Sequence, residues 1–81
     1  MADAVEDLLE ALEDVDDATR EDAAKALAEL ADPSTLEPLL RVFEDEFWSV
    51  RAHAAWGVAR IGGPRAAEAL LGLFNDPIAE V

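Results

Sequence analysis

A self-match at a period of 31 residues constrains this chain more than any other feature. Slid on itself without a gap, TREDAAKALAELADPSTLEPLLRVFED (19–45) lies over VRAHAAWGVARIGGPRAAEALLGLFND (50–76). Arg20 falls on Arg51, Ala23 and Ala24 on Ala54 and Ala55, Leu27 on Val58, and Leu30 on Ile61. Pro33 falls on Pro64, Leu39 and Leu40 on Leu70 and Leu71, Phe43 on Phe74, and Asp45 on Asp76. The opposite shift lays AVEDLLEALED (4–14) over TLEPLLRVFED (35–45). A period of this length marks a unit of one supersecondary element, which buries its apolar side only against its neighbours.

Each unit reads as two helices. In the first (A, about 18–31 and 49–61), apolar residues recur at spacings of three and four: Ala23, Leu27 and Leu30, then Val50, Ala54, Val58 and Ile61. It stops at Ala31-Asp32-Pro33 or at Gly62-Gly63-Pro64. Glycine accepts the left-handed conformation past a helix end, and proline suits the first turn of the next helix. The second helix (B, about 34–44 and 65–75) carries Leu36, Leu39, Leu40 and Phe43 on one stripe. Ser34 with Glu37, and Asp3 with Glu6, have capping-box spacing. The expected fold is all-α: an α-solenoid of five helices in the order B-AB-AB. It forms one domain over 1–81, with a half-repeat (1–14), two repeats (15–45 and 46–76) and a tail (77–81).

Composition agrees with this reading and removes several function classes. Of 81 residues 52% are hydrophobic, but 17 are alanine, so the composition favours helix over a thick core. No cysteine is present, which excludes disulfides and thiolate chemistry. The start, MADAVEDLL, has no basic region and no long apolar run, and no stretch approaches a membrane span. The expected location is therefore cytoplasmic, with no membrane partner. Nineteen acids against six bases give net −13, which repels phosphate backbones and argues against nucleic acid. Lys25 is the only lysine beside five arginines. Such acid-rich, lysine-poor surfaces suit a salt-rich cytoplasm, where repulsion is screened, and suggest a halophilic source.

The register Asp14…Arg20-x-x-Ala23-Ala24-x-x-Leu27, repeated as Asp45…Arg51-x-x-Ala54-Ala55-x-x-Val58, resembles the short HEAT-like repeats first described in phycobilin lyases. The resemblance covers nearly the whole chain. It implies a polar ladder in which an Asp and an Arg six positions apart join successive units; by match these are Asp14, Arg20, Asp45 and Arg51. It also brings in enzymes, since HEAT-like hydroxylases hold iron on repeated His-Glu pairs. This chain has one histidine, His53, and no His-Glu dipeptide, so that branch is excluded.

Chemistry is otherwise hard to find. Carboxylate pairs such as Asp16-Asp17 sit where a polar helix face or turn is expected, without the burial that would separate their pKa values. RIGGP is a helix stop, not a phosphate loop. EDVDDATRED lacks the glycine and terminal glutamate of a calcium loop. No catalytic, cofactor or metal residue is assigned, and no small-molecule ligand is expected. The repeat places Glu6, Glu37 and Glu68 one above another, with Glu13 and Glu44 seven residues on. They read first as solvated, dipole-favoured glutamates, and alternatively as an acidic stripe for a basic helix or tail.

The charge is unevenly divided. Residues 1–46 hold 16 acids and three bases, whereas 47–81 hold three of each. Salt adaptation alone should acidify every wet surface, so the neutral half is expected to be covered. RAAEALLGLFND is apolar almost all round, as buried helices are. Its candidate interface residues are Ala66, Ala69, Leu70 and Leu73, with charge at Ala69 or Leu73 expected to yield monomers. Phe47 and Trp48, in the inter-repeat turn, read as core. Trp56 shares a ridge with His53 and Arg60; it either covers apolar surface with Arg60 stacked on it or stands as an exposed interface anchor.

The expected function is a non-enzymatic protein-interaction or scaffold module that self-associates through its neutral C-terminal half, as a homodimer, or binds another protein there. Two alternatives stand beside it. One, carried by the resemblance, is a bilin-lyase-like or other tetrapyrrole-binding protein. The other is a fragment of a longer solenoid, since Val81 falls one residue before the position of a third arginine.

Overall fold

The computed structural model describes residues 4–74, and of residues 73 and 74 the backbone alone. Five α-helices follow one another: α1 (Ala4–Ala11), α2 (Asp17–Leu30), α3 (Leu36–Arg41), α4 (Trp48–Ile61) and α5 (Pro64–Phe74). No strand occurs among the described residues. The chain is an all-α helical repeat, with α2 and α4 in the A position and α1, α3 and α5 in the B position. Asp3 lies outside the described residues, as do Asp76 and the tail.

Both A helices begin and end within one residue of the expected positions, and each stops at a residue of positive φ. Ala31 takes the left-handed conformation (φ 50°, ψ 40°) and donates its N–H to the Leu27 carbonyl at 3.0 Å. Its register mate Gly62 (φ 73°, ψ −165°) donates to the Val58 carbonyl at 3.0 Å from a region open essentially to glycine alone. Glycine occupies the left-handed conformation of Ala31 without a steric cost; alanine does not. Ala31→Gly is therefore expected to stabilise the fold by about 0.5–1 kcal/mol, read as a higher midpoint in urea unfolding with an unchanged slope.

The second helix of the middle unit differs from the continuous helix expected over 34–44. A 3-10 turn (Pro33–Thr35) leads into α3 and another (Val42–Glu44) follows it. Pro38 has no N–H to give the Ser34 carbonyl, and the entry tightens instead, with Leu36 N–H donating to the Pro33 carbonyl. The cap also moves. Asp32, not Ser34, caps this segment, accepting the Ser34 N–H at 2.9 Å, so no Ser34–Glu37 capping box forms.

The core runs along the junction of the two layers. Leu27, Leu39, Val50 and Val58 are fully buried, each contributing about 1.5–3 kcal/mol of transfer free energy. Ala23, Ala24, Ala28, Ala54 and Ala66 fill the places where backbones come close. Leu36, Leu40, Phe43, Phe47, Ile61 and Leu70 pack on this core from its edges. Among the described residues, the packing of α2 on α4 is the most extensive. It is close because Gly57 has no side chain: a methyl group there would stand 3.1 Å from Ala28 Cα and 3.0 Å from Leu39 Cδ1.

Three sequence expectations need correction. Trp48 is not core: α4 begins on it, and it is 69% exposed. Leu30 sits at the end of α2 with 54% of its surface exposed, outside the apolar stripe. Ala66, proposed as interface, is buried. Its register mate Thr35 is buried too, its hydroxyl donating to the Asp32 carbonyl at 2.7 Å. That position faces the core in both units.

Candidate functional site

The junction between units is built from a few polar groups. Arg20, on α2, donates from Nε to Asp45 Oδ2 at 2.8 Å and from Nη2 to Asp45 Oδ1 at 3.3 Å. The same guanidinium donates to the Asp14 carbonyl at 2.8 Å and pairs with Asp17. Arg51 repeats part of this pattern, donating to the Asp45 carbonyl. Asp14 and Asp45 serve their own turns alike, accepting the N–H of Asp16 and of Phe47 at 2.9 and 2.8 Å. Burial pushes the Asp45 carboxyl upward, but the hydrogen bonds from Arg20 and from Phe47 N–H outweigh it and hold the group below its ordinary value. Among the described residues, no buried side-chain nitrogen or oxygen lacks a partner.

Farther along the same junction, Glu21 accepts from the Ser49 hydroxyl and lies 3.9 Å from His53 Nε2. Arg60 then closes the end of α2, donating from Nε to the Ala28 carbonyl at 2.9 Å and from Nη2 to the Glu29 carbonyl at 3.4 Å. These carbonyls belong to the last turn of a helix, where no backbone partner remains. The sequence carries no sign of this contact, because the register mate of Arg60 is Glu29. The Arg60 guanidinium also lies over the Trp56 ring, 5.3 Å from its centroid. His53 and Trp56 thus face different partners, one Glu21 and the other Arg60.

The α2 positions on this side are Arg20, which reaches Asp45 just before α4, Glu21 and Ala28, which meet α4 itself, and the fully buried Ala24. Moved on by 31 residues, they become Arg51, Ala52, Ala55 and Ala59 on α4. Arg51, Ala52 and Ala59 are exposed and Ala55 is half-exposed. No described residue covers the face that its counterpart on α2 has buried. Trp48, Ala52, Trp56 and Arg60 form a single four-residue row along it, with the two tryptophans about 12 Å apart. Trp56 is 44% exposed. On α5, Leu71 is 62% exposed, where its mate Leu40 is packed on the core.

The sequence-derived interface therefore lies partly elsewhere than expected. Ala66 belongs to the core, Leu70 packs on it, Ala69 is half-buried, and the Leu73 side chain lies outside the described residues. Among the described residues, the exposed large apolar side chains of this half are Trp48, Trp56 and Leu71. Leu71 is legible through the repeat, as the mate of a core leucine on the uncovered side. The acidic stripe is not uniform either. Glu37 accepts from Arg65 Nη2 at 2.9 Å, and this pairing, first of its causes, holds the Glu37 carboxyl below its ordinary value. Both groups are more than half exposed, so the pair adds little to stability. Glu6, Glu13, Glu44 and Glu68 stand exposed.

Among the described residues no group of three or more His, Asp or Glu is placed to hold a metal ion. Nor is any described helix long and apolar enough to cross a membrane. No curated protein is significantly similar to the chain in sequence. HEAT repeats, whose family profile matches residues 5–81, commonly mediate protein–protein interaction and are typically non-catalytic. The match runs from α1 through every helix described above, and the chain belongs to the HEAT repeat family.

Proposed function

We propose that the chain is a non-enzymatic scaffold module that self-associates through its neutral C-terminal half. The observation that carries this reading is the uncovered face of α4: Ala52, Ala55 and Ala59, flanked by Trp48 and Trp56, occupy positions whose mates on α2 are buried under a neighbouring helix or joined to it by hydrogen bonds. Small residues allow the close approach that Gly57 and Ala28 already show at the internal junction. Tryptophan and arginine are the residues that most often dominate interfaces.

Charge selects a second copy as the occupant. Two chains of net −13 repel wherever their first halves meet, and only the half from residue 47 onward, with equal acids and bases, can be brought together without that penalty. A two-fold arrangement of neutral half on neutral half keeps the acidic halves apart and is self-complementary.

Solution mass measured by light scattering, over a dilution series in molar KCl and again in low salt, tests the proposal. The expected result is a dimer that weakens in low salt, where repulsion is unscreened. Ala55→Glu and Leu71→Glu should each give folded monomers, with helical circular dichroism retained. A wild-type monomer at every concentration, or a dimer untouched by both substitutions, overturns it.

A further inference from the structure

A second surface lies at the other end of the stack, between α1 and α3. It is a groove of about 450 Å³. Its apolar side chains are Leu9 of α1 and Leu12 just past its end, with Pro38 of α3 and Val42 just after it. Along one wall stand Glu6, Glu10 and Glu13, at helical spacings of four and three, with Arg41 opposite. Glu6 and Glu10 lie on α1 and Glu13 in the turn that follows it. No cation among the described residues lies within ion-pair distance of any of them.

The repeat shows why this gap is acidic. Between α3 and α5 the corresponding space is bridged by Glu37 and Arg65. Moved back by 31 residues, that pair becomes Glu6 and Ser34, so the carboxylate is kept and its cation is lost. Arg41 in turn is the mate of Glu10. The groove is left with three carboxylates against one guanidinium around an apolar floor.

We infer that this groove docks an amphipathic helix of a partner protein, apolar on the face it inserts and carrying Lys or Arg at spacings of four and three along its flank. Its apolar side chains cover Leu9, Pro38 and Val42, and its cations meet Glu6, Glu10 and Glu13 in chain order. This is recognition of a helix in a groove by periodic anchors, with specificity set by opposed charge. The site is distinct from the α4 face and does not depend on self-association.

The test uses the full chain and an 18-residue amphipathic helix built of leucine and lysine, with a leucine–glutamate peptide of the same pattern as control. Binding is read by fluorescence anisotropy of the labelled peptide and by amide chemical shifts of the protein. The lysine peptide should bind in low salt and shift the amides of Leu9, Glu10, Glu13, Arg41 and Val42; the glutamate peptide should not bind. The triple variant E6Q/E10Q/E13Q should lose about tenfold or more in affinity. The exposed triple D22N/E29Q/E46Q removes the same charge elsewhere and should change it less than about threefold. Equal loss in both triples overturns the proposal, because the peptide then follows the net field and not the groove. Shifts centred on α4, or no binding at all, overturn it as well.

Discussion

Gly57→Leu is expected to cost about 3 kcal/mol, out of a total stability of roughly 4–12 kcal/mol for a chain of this length. The site has nowhere to put a side chain. A Cβ alone would meet Leu39 Cδ1 at 3.0 Å and Ala28 Cα and Cβ at 3.1 Å. The Leu39 methyl can turn aside, but Ala28 Cα is backbone of α2 and moves only if the whole helix moves. Because the α2–α4 packing is the main junction between units, prying it open disturbs Leu27, Val50 and Val58 together. A double-mutant cycle separates the two obstacles. Leu39→Ala by itself leaves a cavity and should cost about 2–5 kcal/mol. Combined with Gly57→Leu it should cost at least about 1 kcal/mol less than the sum, since the new side chain enters the space vacated. Rescue should stay incomplete, the Ala28 backbone being unmoved. Urea unfolding followed by circular dichroism measures all three; a Gly57→Leu chain as stable as wild type would show that the helices do not approach this closely.

Asp45→Ala should lower the melting temperature by about 10 °C at neutral pH. The carboxylate accepts Arg20 Nε and Nη2 and the N–H of Phe47, so truncation deprives the guanidinium of its partner across the junction and leaves the first turn before α4 uncapped. The pH dependence identifies the charge as the cause. The Asp45 carboxyl lies below its ordinary 3.8 in the folded chain, burial acting upward and the hydrogen bonds from Arg20 and Phe47 N–H prevailing. A carboxyl depressed by folding contributes its full stability above the unfolded value and loses it as pH falls through the folded one. The stability difference between wild type and Asp45→Asn should therefore be constant from pH 7 down to about 5 and shrink below about 4. Subtraction removes the effect of all the other carboxylates, whose mutual repulsion eases on acidification in both chains. A difference independent of pH down to 2 would remove the Asp45 charge from the account.

The repeat made the two A helices, the B positions and the Asp–Arg spacing legible, since each rests on residues that recur at 31 positions. What it concealed are the places where the mates differ. Trp48 replaces Asp17, and α4 begins on it, so an aromatic that reads as core projects into solvent. Ser34 has the spacing of a cap, but Pro33 starts the turn earlier and Asp32 takes the amide. Ala66 reads as interface because the last helix is apolar almost all round, although its mate Thr35 is buried and marks the position as core. The closure of α2 by Arg60 has no sequence signal, because bonds to the carbonyls of Ala28 and Glu29 depend only on where the end of α2 comes to rest. The groove beside α1 follows the same logic in reverse: it exists where the cation of the Glu37–Arg65 pair has no counterpart.

Three of the contacts that complete α2 reach forward along the chain. Asp45 answers Arg20 across 25 residues, Ser49 answers Glu21 across 28, and Arg60 closes on Ala28 across 32. On a ribosome, where the chain is made from its N-terminus, α2 emerges with its own backbone bonds available and these partners not yet synthesised. The α2 helix must therefore wait about one repeat's length of translation before these three contacts can form. Consolidation trails synthesis by a unit, and the acidic half leaves the exit tunnel long before the neutral half that secures it.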